Sequence, residues 1–436
     1  MHRTTLPNIL ALAALLASAS GASAQTKPVI TLAEAIERAR RVQPLVVSAI
    51  GQLHNADARL RSAKGAYLPN LNVTGSAGDF YSEGQRIDPS TGQLTTSNTT
   101  NRSINGSINS SIEVFDGFRR SAESKAAKAN RASAEANLTD AQYQQELATT
   151  NQFYDVLAGT QLLRVRQASV RRAEEQLKVA IARLRAGAAI RPDSLRSLVT
   201  LGTARLDMIN AQTQLLSAEA NLGRLVGSDG PVGAVDDSSF YATAIVIDTA
   251  AVRAEALAQS PQVVAAEASA RSARAALGVV KAAYWPSVTL SGSSSLNGSR
   301  QNNYSFLQQR QLQFGLNWAV FNRFTREQNI VNQRSTAEIA EANAAELRRQ
   351  VLADLTTRLA ELGAAQERIA ITQVSVVAAT EDLRVQQERY RLGAATIVDV
   401  LTSQEALNQA EVDAVNARFD HLRAKAQIQA LIGRPL

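Results

Sequence analysis

The sequence predicts a mainly α-helical chain with a membrane β-barrel portion, in which long coiled-coil helices alternate with a few spanning strands. Three observations predict it. Apolar residues recur every seven positions over long stretches, short paired segments alternate apolar with small or polar residues, and the second half of the chain repeats the order of the first. "KGAYLPNLNVTG" at 64–75 returns as "KAAYWPSVTLSG" at 281–292, an offset of 217, and "ARLRAGAAIRPDSLRSL" at 182–198 aligns with "ERYRLGAATIVDVLTSQ" at 388–404, an offset of 206.

Residues 1–24 have the form of a secretory signal peptide: a basic start at Arg3, the apolar run Ile9–Ala17, and "ASA" at 22–24. The mature chain is expected to begin near Gln25, and the apolar run is too short for a transmembrane anchor. Two structural repeats follow, at 25–231 and 232–436, each reading helix, strand, strand, long helix, shorter helix. The first helical region of each, Leu32–Lys64 and Thr249–Lys281, carries a proline at a matching place, Pro44 and Pro261, and is expected to break there.

The long helices run from about Phe118 to Ala186 and from about Thr325 to Leu392. At about 1.5 Å per residue each is a rod on the order of 100 Å. Leu355, Leu362, Ile369, Val376, Leu383 and Tyr390 keep strict sevens, as do Val156, Leu163, Val170, Leu177 and Leu184. A strict heptad calls for a coiled-coil neighbour, because an isolated amphipathic helix drifts by about 20° per heptad.

In "LQFGLNWAVF", Leu312, Phe314, Leu316, Trp318 and Val320 fall on one face. Ile104, Ile108, Ile112 and Val114 repeat this more weakly, and Leu71 with Val73 and Val288 with Leu290 mark the first strand of each pair. The alternation suits a membrane strand, and equally a soluble sheet packed on helices. Aromatic residues gather at both ends of these segments: Tyr67, Phe115, Phe118, Tyr284, Trp285, Phe321 and Phe324 toward the helices, Phe80, Tyr81, Tyr304 and Phe306 toward the hairpin loops. Such girdles belong at membrane interfaces. The first hairpin exceeds the second by 11 residues, and 82–100 is expected to be a surface loop. Four strands cannot close a barrel, so several chains must contribute.

Composition excludes other classes. Lys and Arg number 46 against 39 Asp and Glu, a net +7 that is scattered along the chain, so nucleic acid is not an expected partner. With no cysteine there is no disulfide, thiolate metal site or lipidated N-terminus. The histidines, His2, His54 and His421, form no ligand cluster, and no Gly-Lys pair offers a phosphate-binding loop. "SDGPVGAVDD" at 228–237 lacks calcium-loop spacing and reads as turn chemistry between the repeats. No enzyme, metal or cofactor is expected.

The duplicated order of elements, the "AYLP"/"AYWP" start of each hairpin, the "VFDGF"/"VFNRF" exit and "RYRLGAATIVDVL" together resemble the TolC family of outer-membrane efflux proteins, from about Leu32 to Gly433. The resemblance implies a homotrimer whose twelve-stranded β-barrel, four strands per chain, continues into a long coiled-coil α-helical barrel in the periplasm. It implies an outer-membrane exit duct in contact with outer-membrane lipid, serving a periplasmic adaptor protein and an inner-membrane transporter of RND, ABC or MFS type. A type I protein secretion conduit and a periplasmic coiled-coil scaffold are the alternatives. By position, Gly187 and Gly393 would form the periplasmic tip and the adaptor docking turns, and Asp193, Tyr390, Asp399 and Thr402 would match constriction positions. Two departures stand out: Ala395 replaces the family's arginine and Thr402 its second acidic ring. Gly187 and Gly393 also suit αL helix caps, and the two aspartates suit N-caps.

Overall fold

The computed structural model describes residues 27–237, 240, 248–300 and 303–436; the signal segment lies outside them. The elements are β1 (Val29–Ile30), α1 (Leu32–Val42), α2 (Pro44–Gly65), β2 (Asn70–Ile87), β3 (Leu94–Phe115), α3 (Arg119–Arg185), α4 (Arg191–Val226), β4 (Gly233–Ala234), α5 (Thr249–Gln259), α6 (Pro261–Lys281), β5 (Ser287–Ser299), β6 (Leu307–Asn317), α7 (Thr325–Arg391) and α8 (Ile397–Ile432). The chain divides into two compact units, each drawing on both halves of the sequence. One comprises the chain up to Val47 with Gln142–Val252 and Asp354–Leu436; the other comprises Ser48–Ala141 and Arg253–Ala353.

In the first unit, α1 starts at Thr31, whose side chain accepts from the backbone of Glu34, and stops where Gln43 turns extended before Pro44. That extended residue is what a following proline enforces. Of the expected heptad positions, Val156, Val170, Leu355, Leu362, Leu383 and Tyr390 are buried, and Leu163, Leu177, Leu184, Ile369 and Val376 are half-buried. Phe153, Leu157, Leu222 and Phe419 join Ile30 and Val232 in the largest core. The segment expected to be a turn at 228–237 instead contributes β4, which pairs in parallel with β1, Val29 opposite Gly233 and Ile30 opposite Ala234. Two unpaired backbone edges meet there, so pairing satisfies groups that a plain turn would leave buried. Close approach depends on Gly223, where a Cβ would lie 2.2 Å from the carbonyl oxygen of Gly230.

The second unit holds a four-stranded antiparallel sheet in the order β2-β3-β5-β6. Its register divides the residues cleanly between two faces. One face carries Leu71, Val73 and Ala77 of β2, Ile104, Ile108 and Ile112 of β3, Val288, Leu290 and Leu296 of β5, and Leu312, Phe314 and Leu316 of β6. The last three are 78%, 68% and 70% exposed. The charges on this face include Arg102 and Asp79, directly opposed toward its outer end and ion-paired at 2.6 Å, and Arg310 of β6, which lies opposite Ser294 and level with Ile108 and Val73. The other face carries serine, threonine, asparagine, glutamine and glycine from Asn70 to Gly78, Ser103 to Ser111, Ser287 to Asn297 and Gln309 to Asn317.

Two expectations need correction here. The extra residues of the first hairpin extend its strands: pairing continues to Ile87 and Leu94, and only a short turn at 88–93, closed by Ser90 on the Asp88 carboxylate, remains as loop. The Thr, Ser and Asn residues at 95–100 satisfy a ladder as well as they satisfy a loop, which composition alone does not separate. Phe80 and Tyr81 therefore lie within β2, away from the hairpin turn. At the other end β6 stops at Asn317, because the Trp318 indole N–H donates to the carbonyl of Tyr284 at 3.2 Å and pulls the chain out of the ladder.

Gly223→Ala is expected to lower stability by about 1–3 kcal/mol through overpacking against Gly230. Gly363→Ala, where no atom lies within 4 Å of the added carbon, is expected to be neutral or stabilising by up to about 1 kcal/mol. Thermal melts followed by far-ultraviolet ellipticity compare the two.

Candidate functional site

Two sets of residues, one in each unit, carry the features singled out in the sequence. The first is the strand-to-helix corner. In both repeats two successive residues take left-handed backbone: Gly117 and Phe118 at φ 65° and 68°, Arg323 and Phe324 at φ 59° and 62°. At Gly117 a Cβ would come within 2.5 Å of Trp285 Cβ. Asp116 is buried and accepts from the backbone N–H of Arg120 at 2.8 Å, and Asn322 accepts from that of Arg326 at 3.4 Å. These side chains satisfy the first orphan donors of α3 and α7. The paired rings Phe115–Phe118 and Phe321–Phe324 meet edge to face at 5.5 Å in both corners. Arg120 lies over Tyr67 at 5.0 Å, and Arg326 over Tyr284 at 4.1 Å. Phe118 also meets Trp285 at 6.3 Å. All seven aromatic residues expected at the interface thus gather at the corners.

The second set surrounds the turns between paired helices. Gly187 and Gly393 take φ 73° and 77°. Each turn closes with the same two bonds: Gly187 N–H to Leu184 and Ala188 N–H to Arg183, Gly393 N–H to Tyr390 and Ala394 N–H to Arg389. This is the Schellman arrangement, which requires the left-handed residue that glycine supplies. Arg183 and Arg389, equivalent at the 206 offset, each reach forward to a turn carbonyl, that of Ala188 at 3.2 Å and of Ala394 at 3.3 Å. Sequence reasoning passed over these arginines although the repeat alignment already pairs them.

The two turns differ beyond this shared frame. Neither aspartate is an N-cap: the caps are Ile190 and Thr396. Asp399 sits three residues into α8 and closes a capping box, accepting from the backbone and hydroxyl of Thr396, both at 2.8 Å. These bonds hold its carboxyl below the ordinary carboxylate range, the backbone N–H of Thr396 first and its hydroxyl second. Ile190 offers no such partner to Asp193, whose carboxylate makes no hydrogen bond or ion pair among the described residues. Its charge acts on Tyr390.

Tyr390 is 4% exposed and packs with Leu383, Ile397 and Val400; Ala395 lies against the same cluster. The guanidinium of Arg183 stacks on its ring at 4.4 Å, so the cation beside this tyrosine comes from α3. Burial first, then the Asp193 charge, push the Tyr390 hydroxyl up, against the lowering effect of Arg183. That hydroxyl, and Nε and Nη1 of Arg183, have no partner among the described residues. Thr402 is exposed on α8 and lies outside this cluster, whereas its neighbour Ser403 is buried and donates to Asp382.

Comparison with known proteins gives these features a family. The sequence model of the family described as "Outer membrane efflux protein" matches residues 35–228 and 252–434. The chain belongs to this family. Among curated relatives of these efflux proteins, the pyoverdine export outer membrane protein OpmQ of Pseudomonas aeruginosa is 24% identical over 415 residues, covering 92% of this chain and 82% of that protein. The outer membrane protein TolC of Vibrio cholerae is 23% identical over 416 residues, covering 92% and 90%. Among solved structures, the outer membrane protein VceC of Vibrio cholerae superposes with a TM-score of 0.76 at 18% identity, covering 93% of this chain and 96% of that one. CusC gives 0.78 at 17% identity, covering 92% of both. This efflux protein is therefore an outer-membrane protein with a periplasmic helical portion and a TolC-type fold. Among its described residues no helix is long and apolar enough to cross a membrane. Its relatives in the family are channels.

The Asp399 value is depressed on folding, so the capping box contributes stability above the unfolded carboxyl value and loses it as pH falls through the folded one. Hydrogen-exchange protection at the start of α8 is expected to drop as pH falls below the ordinary carboxylate range. Thr396→Ala is expected to cost about 1 kcal/mol of local helix stability and to flatten that pH dependence.

Proposed function

We propose that three copies of this chain form the outer-membrane exit duct of a tripartite export system, taking substrates from an inner-membrane transporter through a periplasmic adaptor. The observation that carries this reading is a set of surfaces that one copy leaves unpartnered. β2 and β6 are open edges of the sheet, and an unpaired edge within lipid forfeits backbone hydrogen bonds that hydrocarbon cannot replace. At about 3.3 Å per residue and a tilt near 40°, the 11 residues of β6 rise through roughly the hydrocarbon thickness. Pairing β6 with β2 of the next copy closes twelve strands around a lumen.

The helices support the same assembly. On α4, one heptad seam through Leu201, Ala204, Ala211 and Leu222 is buried. A second seam on the same helix, Leu195, Val199, Leu206, Ile209 and Leu216, keeps the a and d positions of a heptad, interrupted at Gly202 and Thr213, with each of the five at least half exposed. Ile371, Val374, Val385 and Leu392 form its counterpart on α7. The buried seam is covered within the chain, where Leu201 and Ala204 pack on Val170 and Ala173 of α3, whereas the exposed seam calls for a further coiled-coil neighbour.

In this reading the turns at Gly187 and Gly393 meet the adaptor, and the cluster of Arg183, Tyr390 and Asp193 holds the tip closed. Arg183 joins the end of α3 to the end of α7. Asp193, uncommitted to a cap, supplies the charge at the constriction, while Asp399 serves chiefly to start α8. Thr402 adds no charge beside them. The duct itself catalyses nothing; transport is driven by the inner-membrane partner.

Detergent-solubilised protein is expected to have three times the chain mass, and a monomeric mass under conditions that preserve oligomers would refute the assembly. In planar bilayers, Arg183→Ala and Tyr390→Ala are expected to raise open probability by about fivefold for a cation–π contact worth about 1 kcal/mol. Tyr390→Phe, which retains the ring, should behave as the parent. Asp193→Asn should weaken cation dependence more than Asp399→Asn, and equal effects would return the gate charge to both turns.

A further inference from the structure

Resting on the duct reading, the register of the sheet decides what its interior offers to a passing solute. The face with the apolar residues must meet lipid, since burying it around water and turning hydroxyls and amides to hydrocarbon would cost free energy at every residue. The opposite face lines the lumen. Along β5 that face is Ser287, Thr289, Ser291, Ser293, Ser295 and Asn297. Beside β5, β3 presents only Ser and Asn from Ser103 to Ser111, and β6 only Gln, Gly and Asn from Gln309 to Asn317. The first charges on this face are Glu113, opposite Thr289 in the layer next to the helix end, and Arg86 far toward the other end. Glu113 pairs with Arg119, and Arg86 lies in the outward extension of β2.

We infer that the membrane segment of this duct is a charge-free, hydroxyl- and amide-lined conduit that passes hydrogen-bonding solutes of either charge sign, so that charge selection lies outside it. Hydroxyls and primary amides both donate and accept, so they exchange readily with the hydration shell of a cation, an anion or a zwitterion. A ring of fixed like charges in a low-dielectric wall would instead focus a potential along the axis and enrich one sign. The scattered +7 of the chain is thus irrelevant to this stretch. The substrate class that suits such a wall is polar and rich in hydrogen-bonding groups, without a required net charge.

The chain has no cysteine, so single substitutions report cleanly. In intact outer membranes at low ionic strength, Ser293→Cys and, on the opposite face, Leu290→Cys are treated from outside with a cationic and an anionic methanethiosulfonate. Entry from the external mouth makes the result independent of the tip. Ser293→Cys is expected to react with both reagents, at a rate ratio within about threefold of that for a small thiol in solution. Leu290→Cys is expected to react with neither. A ratio displaced by about tenfold or more at Ser293→Cys, or at Ser291→Cys should the first variant fail to assemble, overturns the charge-free lumen while leaving the duct. Reaction at Leu290→Cys with none at the serine positions overturns the duct reading itself.

Discussion

Backbone hydrogen bonding inside hydrocarbon is the constraint from which the rest of this molecule follows. Each strand of the sheet has N–H and C=O groups on both sides, and within lipid no water is present to satisfy those left over. Four strands in the order β2-β3-β5-β6 satisfy their inner edges and leave β2 and β6 open. In the proposed assembly the open edges are closed by further copies of the chain, and a subunit that closes a ring must present complementary surfaces at every level. The sheet does so with its two edges, and the helices do so with a second heptad seam on α4 and α7.

Duplication supplies matching parts, and divergence between the copies sets their roles. The corners have diverged little: ring pairs at the same separation, a tyrosine beneath an arginine, and a capping Asp or Asn occur in both. Their shared task is geometric, to turn a strand into a helix while keeping aromatic rings at one level. The turns between paired helices share a backbone frame but differ in chemistry. Thr396 binds Asp399 where Ile190 leaves Asp193 unbound, and Tyr390 stands where the first repeat has Leu184. One copy closes its own helix start, and the other leaves a carboxylate free to act elsewhere.

Much of this was legible from periodicity. Heptads located α3 and α7 to within a residue or two, Pro44 and Pro261 marked real breaks, and the alternation from Leu312 to Leu316 reported its face correctly. Signals that depend on contact rather than period were not legible. The residues at 95–100 suit strand and loop alike, so only pairing with β2 reveals a ladder. The β1–β4 bridge joins two-residue segments far apart in sequence, too short to leave a pattern. Arg183 looks like any basic residue in a helix's last turn, and its position over Tyr390 follows from how α3 meets α7. The neutral lumenal face was present in the sequence all along, but the strands' extent and register were needed to separate it from its charged neighbours.

The interleaved make-up of the first unit has a consequence for biogenesis. Its core joins Ile30 near the N-terminus to Phe153 and Val232 in the middle and Phe419 near the C-terminus, whereas the unit with the four-stranded sheet contains no residue beyond Ala353. A chain exported N-terminus first therefore presents all four strands before α8 has emerged. Contacts of such wide sequence separation form late. The apolar strands must remain soluble through this interval, a circumstance suited to their weak hydrophobicity, one polar residue for each apolar one.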